Sequence, residues 1–205
     1  MQNAEKQNVY QVYNKIANWY AQNRSTELQE KTCIDHMLAH LPANATVLDL
    51  GCGTGKPIIE YLISRNIAVT GVDGSIEMLR IAKANFPSVT FIEQDMRLLH
   101  LNQRFDGIIA WNSFFHLPAA HQPAMFGIFA KHLKPGGLLM FTSGTEHGEA
   151  WGINGGENLY HASLNTTEYE QLLHAHNFSV LQHTVNNPEC GGLTVWLAKY
   201  NAARS

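Results

Sequence analysis

The sequence predicts an α/β domain: a doubly wound, mostly parallel seven-stranded sheet with helices on both faces and an antiparallel C-terminal hairpin. Three observations carry this reading. Short β-rich runs alternate with amphipathic helical patterns, the order that gives parallel strands joined by crossover helices. The first five runs are almost continuously apolar, as strands covered on both faces are. Two last runs, Phe178–Val185 and Leu193–Tyr200, are joined by a turn region holding Pro188, Gly191 and Gly192, and they read as an antiparallel end hairpin.

The elements follow in order. Residues 5–23 place Val9, Val12, Tyr13, Ile16, Trp19 and Tyr20 at a spacing of three and four, which predicts an amphipathic helix. Residues 26–41 repeat that pattern through Leu28, Cys33, Met37, Leu38 and Leu41 until Pro42 ends it. Strand runs lie at 46–50, 67–72, 89–92, 105–111 and 138–142, with helical patterns at 57–65, 75–85 and 119–133 between them. A Gly-rich stretch at 144–158 reads as a loop, and a helix is expected at 166–176.

Composition narrows the function classes. A chain of 205 residues is one domain of ordinary size. Apolar residues make up 45% and charged residues only 15%, against a usual ~25% charged; 17 Asn and 11 His fill much of the difference. A net charge of -3 and a pI near 6.4 give none of the basic footprint of a general nucleic-acid binder. No stretch approaches the ~18 apolar residues of a membrane span. Cys33, Cys52 and Cys190 form no Cys-x-x-Cys pair and no metal spacing, so reduced cysteines, a cytoplasmic location and no metal site are expected. His36 and His40 stand at i, i+4 without an apparent third ligand and read as a surface pair.

The strongest chemical signal is the run from Val47 to Pro57, VLDLGCGTGKP, where the first strand meets the next helix. Glycines there let the backbone turn tightly and approach a ligand, and a helix N-terminus offers free N–H groups. A phosphate-binding P-loop fails: Gly51 and Gly55 are four apart instead of five, and Pro57 stands where the hydroxyl belongs. A dinucleotide turn wants GxGxxG, and here the third glycine comes one residue early, which disfavours a nicotinamide cofactor.

Asp49, Gly51, Gly53 and Gly55 form a DxGxGxG run that resembles motif I of the class I S-adenosylmethionine-dependent methyltransferases. The likeness continues through Gly71-Val72-Asp73-Gly74-Ser75, Gln94-Asp95-Met96, Phe105–Trp111 and Leu133-Lys134-Pro135-Gly136-Gly137. It extends over roughly residues 10–200. The N-terminal helix is similar to the YxxxAxxYxxxR pattern of many small-molecule methyltransferases, through Tyr13, Ala17, Tyr20 and Arg24.

The resemblance implies S-adenosylmethionine as cofactor and a set of roles. Gly51, Cys52 and Gly53 would pass under its methionine part, with Asp49 holding the ammonium. Asp73 would grip the ribose, with Gly74 and Met78 beside it. Asp95 and the Met96 backbone would read adenine, Trp111 would pack near the sulfonium, and Tyr20 and Arg24 would close over the amino-acid end. It also divides the single domain, 1–205, into N-terminal lid helices at 1–42, a cofactor-binding core at 43–143, a substrate-side loop at 144–165, and a C-terminal helix and hairpin at 166–205.

The implied reaction is methyl transfer to a small-molecule acceptor, whose O, N or C atom the sequence leaves open. An amine or hydroxyl acceptor needs a general base. His116 and His161 are the candidates, with His147 a third, because all three fall in segments expected at the substrate mouth. The turn after the fourth strand reads Trp111-Asn112-Ser113-Phe114, which differs from the motif of DNA amino-methylating enzymes. Two alternatives stay open: an accessory module that binds S-adenosylmethionine without turnover, and a nicotinamide-dependent reductase.

Overall fold

A computed structural model describes residues 2–25 and 27–202. The first predicted helix is two: α1 (Gln2–Gln7) and α2 (Val9–Asn23), broken at Asn8. Next, α3 (Lys31–Leu38) is shorter than the pattern over 26–41 suggested; one residue of that stretch, Thr26, lies outside the described residues. The alternating core follows: β1 (Thr46–Leu50), α4 (Ile58–Ser64), β2 (Ala68–Asp73), α5 (Ile76–Asn85), β3 (Thr90–Glu93), β4 (Phe105–Ala110), α6 (Gln122–His132) and β5 (Leu133–Ser143).

Seven strands form one sheet in the order β3-β2-β1-β4-β5-β9-β8, where β8 is Phe178–Asn187 and β9 is Leu193–Tyr200. The first five pair in parallel, and β9 runs antiparallel to both β5 and β8. This is the expected sheet with its end hairpin. The strand order reverses between β1 and β4, and such a switch point opens a crevice at the C-terminal ends of the strands.

Under α6 and α7 (Thr166–Ala175), Phe114 meets Phe126, Phe129 and Phe141 edge-on at ring separations of 5.6–5.9 Å, the geometry that aligns ring edges with ring faces. Phe114 belongs to the turn that follows β4, so the same cluster that fills the core anchors one wall of the crevice.

Two expectations need correction. The stretch read as a loop is a hairpin of β6 (Gly148–Asn154) and β7 (Glu157–Ser163). Gly155 and Gly156 both carry positive φ, 56° and 83°, as a two-residue turn matched to strand twist demands. Lys6 and Lys15 pair with Glu149 and Glu157, joining that hairpin to the N-terminal helices. The cysteines are also not all reduced. Cys33 of α3 and Cys190, in the turn between β8 and β9, form a disulfide across 157 residues of sequence, with Cα atoms 6.4 Å apart. Their pairing arises because α3 packs on that turn, a tertiary contact that spacing along the chain does not encode. The cytoplasmic location inferred from reduced thiols loses that support. No helix among the described residues is long and apolar enough to cross a membrane.

Candidate functional site

The turn after β1 is tied into place from three sides. Gly51 and Cys52 both donate their N–H to the carbonyl of Val72 at the end of β2, at 2.7 and 3.1 Å. The Ser113 hydroxyl, arriving from the end of β4, donates to the Leu50 carbonyl at 2.6 Å. Gly51 holds φ +83°, and a Cβ there would stand 2.2 Å from Cβ of Ser113. Only glycine closes this corner.

Asp73 ends β2, and its carboxylate organises the neighbouring loops. Oδ2 accepts from the Gly53 N–H and Oδ1 from the Ser75 N–H, both at 2.8 Å. Burial pushes its pKa up, while those backbone donors pull it back. Ser75 caps α5 by accepting from the Met78 N–H at 3.2 Å. Asp49 differs: it is 3% exposed, and among the described residues no group donates to its carboxylate. Burial, then the nearby Asp73, push it up to about 7. Without donors to its oxygens, this buried carboxyl is driven toward its neutral form, with only Arg24 pulling the other way.

These groups line one cleft of about 970 Å³, solvent at its mouth included, and all twelve residues assigned to the cofactor lie on its walls. They are Tyr20, Arg24, Asp49, Gly51, Cys52, Gly53, Asp73, Gly74, Met78, Asp95, Met96 and Trp111. Arg24 donates to the Tyr20 hydroxyl at 3.0 Å and pairs with Glu30 at 3.4 Å. Trp111 is 5% exposed and fixed against the C-terminal end of the sheet. Burial also pushes the Cys52 thiol up, so the sulfur is an inert part of the wall.

The three candidate bases separate. His116 lines the cleft. Its Nδ1 lies 2.8 Å from the Tyr160 carbonyl, which only accepts, so Nδ1 carries the proton and Nε2 presents a lone pair. The Tyr13 hydroxyl lies 2.9 Å from that Nε2 and donates to it. Burial pushes His116 down to about 3 and raises the Tyr13 hydroxyl; both are neutral at ordinary pH. His161 is off the cleft wall, with its ring 4.8 Å from that of His116 and 5.3 Å from that of Phe115. His147 is exposed and bonded to Glu168 at 2.9 Å, on the capping box of α7.

Two features escaped the sequence. Asp95 is engaged by Arg97, whose Nε lies 2.9 and 3.0 Å from its two oxygens. The joining of Tyr13 to His116, 103 positions apart, was equally invisible, although each residue stood in its own motif.

The geometry has relatives. Residues 47–137 match the family model described as a methyltransferase domain. The amino-pentose methyltransferase CalS10 of Micromonospora echinaspora, solved with S-adenosylmethionine bound, superposes over 90% of this chain and 95% of its own, with a TM-score of 0.73 at 19% identity. Residues 47–137 are thus similar to a methyltransferase domain, and the chain has the fold of the class I methyltransferases. A ubiquinone/menaquinone biosynthesis C-methyltransferase of Campylobacter jejuni is 31% identical over 153 residues, 68% of this chain and 64% of the relative. Trans-aconitate 2-methyltransferase of an Azoarcus species is 36% identical over 107 residues, 50% of this chain and 41% of the relative. The chain spans 41–45% of the length of the first four curated relatives. Class I methyltransferases use S-adenosylmethionine, and the residues present fit it: an unpartnered carboxyl for its ammonium, a backbone-held carboxylate for its ribose, and between them a glycine turn whose Gly51 has no room for a Cβ.

Proposed function

We propose that the chain transfers a methyl group from S-adenosylmethionine to a small-molecule acceptor bearing an O–H or N–H. The observation that carries this reading is that Asp49, Asp73 and the glycine turn share one cleft with the Tyr13–His116 pair. Bound S-adenosylmethionine supplies a methyl on a positive sulfur, already a good electrophile.

The chain's own residues hold, shield and accept a proton. Asp49 takes the ammonium, Arg24 the carboxylate end, and Asp73 the ribose hydroxyls through the lone pairs its backbone donors leave free. Trp111 and Tyr20 keep water from the sulfur. The acceptor sheds its proton as its new bond forms. His116 Nε2 takes that proton, either directly or through Tyr13, which passes its own hydroxyl proton to Nε2 and takes the acceptor's. The lack of a basic footprint favours a small acceptor over nucleic acid. Helix α2 lines the mouth with Val9, Tyr10 and Tyr13, and so favours a partly apolar one.

Calorimetry with S-adenosylmethionine, S-adenosylhomocysteine and NADH tests the cofactor. The first two should bind and lose at least about tenfold in affinity in Asp49→Asn, which keeps the shape of the side chain. Binding of NADH with none of S-adenosylhomocysteine overturns the reading. Turnover against a metabolite library tests the reaction; binding intact with no product across the library favours an accessory module.

A further inference from the structure

Helix α2 covers the cleft, and its N-cap Asn8 and two of its own asparagines face the cofactor half. Asn8 Oδ1 accepts from Arg97 Nη2 at 3.0 Å, Asn14 Oδ1 from the Ser75 hydroxyl at 2.7 Å, and Asn18 Oδ1 from Arg80 Nη2 at 3.1 Å. The first of these is out of the ordinary. Asn8 stands at the N-cap of α2 yet makes no side-chain cap bond, although that is what Asn does best at this position. Its oxygen is spent on Arg97 instead.

Arg97 is itself held. Its backbone N–H donates to Asp95 Oδ1 at 2.9 Å, its Nε reaches both carboxylate oxygens, and its Nη2 reaches Oδ2. Three donor hydrogens, that of Nε shared between both oxygens, thus occupy most of the lone-pair sites of the carboxylate. The planar fork is thereby fixed in direction, as a lysine would not be. The remaining amino group, Nη1, lies 3.4 Å from His121 Nδ1. Asp95 therefore spends most of its acceptor capacity on aiming a guanidinium at the N-cap of α2. Two residues on, Tyr10 seals the ribose-side turn: a Cβ on Gly74 would stand 2.8 Å from its ring. One turn further lies Tyr13, on His116.

We propose that Arg97 is a positioning residue that sets the start of α2, and with it Tyr10 and Tyr13, over the cleft, and that Asp95 acts by aiming it. The importance of that placement rests on the methyl-transfer reading; the link itself does not.

Amide hydrogen exchange on the ligand-free protein tests it. Arg97→Gln and Asn8→Ala should each lower protection of residues 9–16 by about tenfold or more, with β1 and β4 unchanged. The double variant should lose no more than either single one, and Asn8→Asp, which keeps an oxygen facing Arg97, should retain protection. Unchanged protection of α2 in both single variants, or losses that multiply in the double, overturns the proposal. Should Arg97→Gln fail to fold, Asn8→Ala against Asn8→Asp decides alone. Failure of S-adenosylhomocysteine to bind the unaltered protein counts against the methyl-transfer reading and leaves the exchange result standing.

Discussion

The Tyr13 hydroxyl sits 2.9 Å from Nε2 of His116, and the other ring nitrogen is committed to the Tyr160 carbonyl at 2.8 Å. One imidazole thus has a fixed tautomer and a single free lone pair, with a phenol on it. His116→Gln should lower kcat by about 10²-fold or more, within the range of a lost general base, and leave cofactor affinity near its original value. Tyr13→Phe should fall between that variant and the unaltered protein. His161→Gln, off the cleft wall, should stay within about threefold. A His161→Gln loss equal to that of His116→Gln would show that the two act as a unit.

On the proposed reading, the acidity of His116 sets the pH profile. Burial holds its pKa near 3, below the ordinary value of about 6.5, so it is neutral above about pH 4, with its Nε2 lone pair unprotonated throughout the physiological range. The rate should show no inflection near 6.5. A limb there that vanishes in His116→Gln would refute the assignment. Stability carries the opposite mark of the same shift. Below about 6.5 the unfolded chain takes up a proton that folded His116 refuses, so stability falls as pH drops toward 3, and His116→Gln removes that component.

Asp49 predicts a second pH dependence, this one in binding. Its pKa is raised to about 7, so below pH 7 it is largely protonated when the cleft is empty. A cationic ligand needs it ionised, and the proton must leave first. Affinity for S-adenosylhomocysteine should weaken below pH 7 by up to about tenfold per unit and level off above it. Asp49→Asn should bind weakly at all pH values, without that slope. Calorimetry from pH 5 to 8.5 reads both.

Gly51→Ala should destabilise the protein more than its size suggests. The new methyl meets Ser113 at 2.2 Å and the backbone sits at φ +83°. Overpacking costs about 1–3 kcal/mol and the left-handed conformation roughly 1–2 kcal/mol. Urea unfolding should show a loss of about 2 kcal/mol or more. Replacing Ser113 by Gly in the same chain should relieve the clash but give only partial recovery, because it also removes the hydroxyl bonded to the Leu50 carbonyl.

Thiol counting tests the disulfide. Under non-reducing denaturation one cysteine, Cys52, should react with an alkylating agent; after reduction all three should. A crosslink spanning 157 residues stabilises by about 5 kcal/mol in the chain-entropy account, so reductant should lower the melting temperature. Cys33→Ala with Cys190→Ala should lower it similarly, and then be insensitive to reductant. Three reactive thiols without reductant would refute the bond.

The sheet was legible because its cause is local: an apolar run covered on both faces looks the same wherever it lies in the chain. The twelve cofactor-side residues were legible for a related reason. Nine of them end a strand or lie in the turn after one, and parallel strands bring their C-terminal ends to one line; Tyr20, Arg24 and Met78 sit on or at the end of helices packed over that line. What escaped was made by packing across the chain. Cys33 meets Cys190 only because α3 lies on the β8–β9 turn. Arg97 meets Asn8 only because a side chain on one 3₁₀ turn (Met96–Leu98) points at the break between two helices. The β6–β7 hairpin is the exception. Its Asn154-Gly155-Gly156 turn was in the sequence, but the glycines read as looseness when they were the two residues that a tight turn requires.

The contacts along the two edges of α2 differ in kind. Toward the cofactor half it is fastened by neutral amide oxygens, Asn8, Asn14 and Asn18; toward the hairpin Lys15 meets Glu157, and Lys6 of α1 meets Glu149, in exposed ion pairs. Salt screens exposed charges and leaves hydrogen bonds to amides nearly untouched. Beneath those ion pairs Val9 and Val12 of α2 pack with Leu159, Tyr160 and Ala162 of β7 in one buried cluster, so rising ionic strength should release the lysine side chains and leave the helix seated on the hairpin.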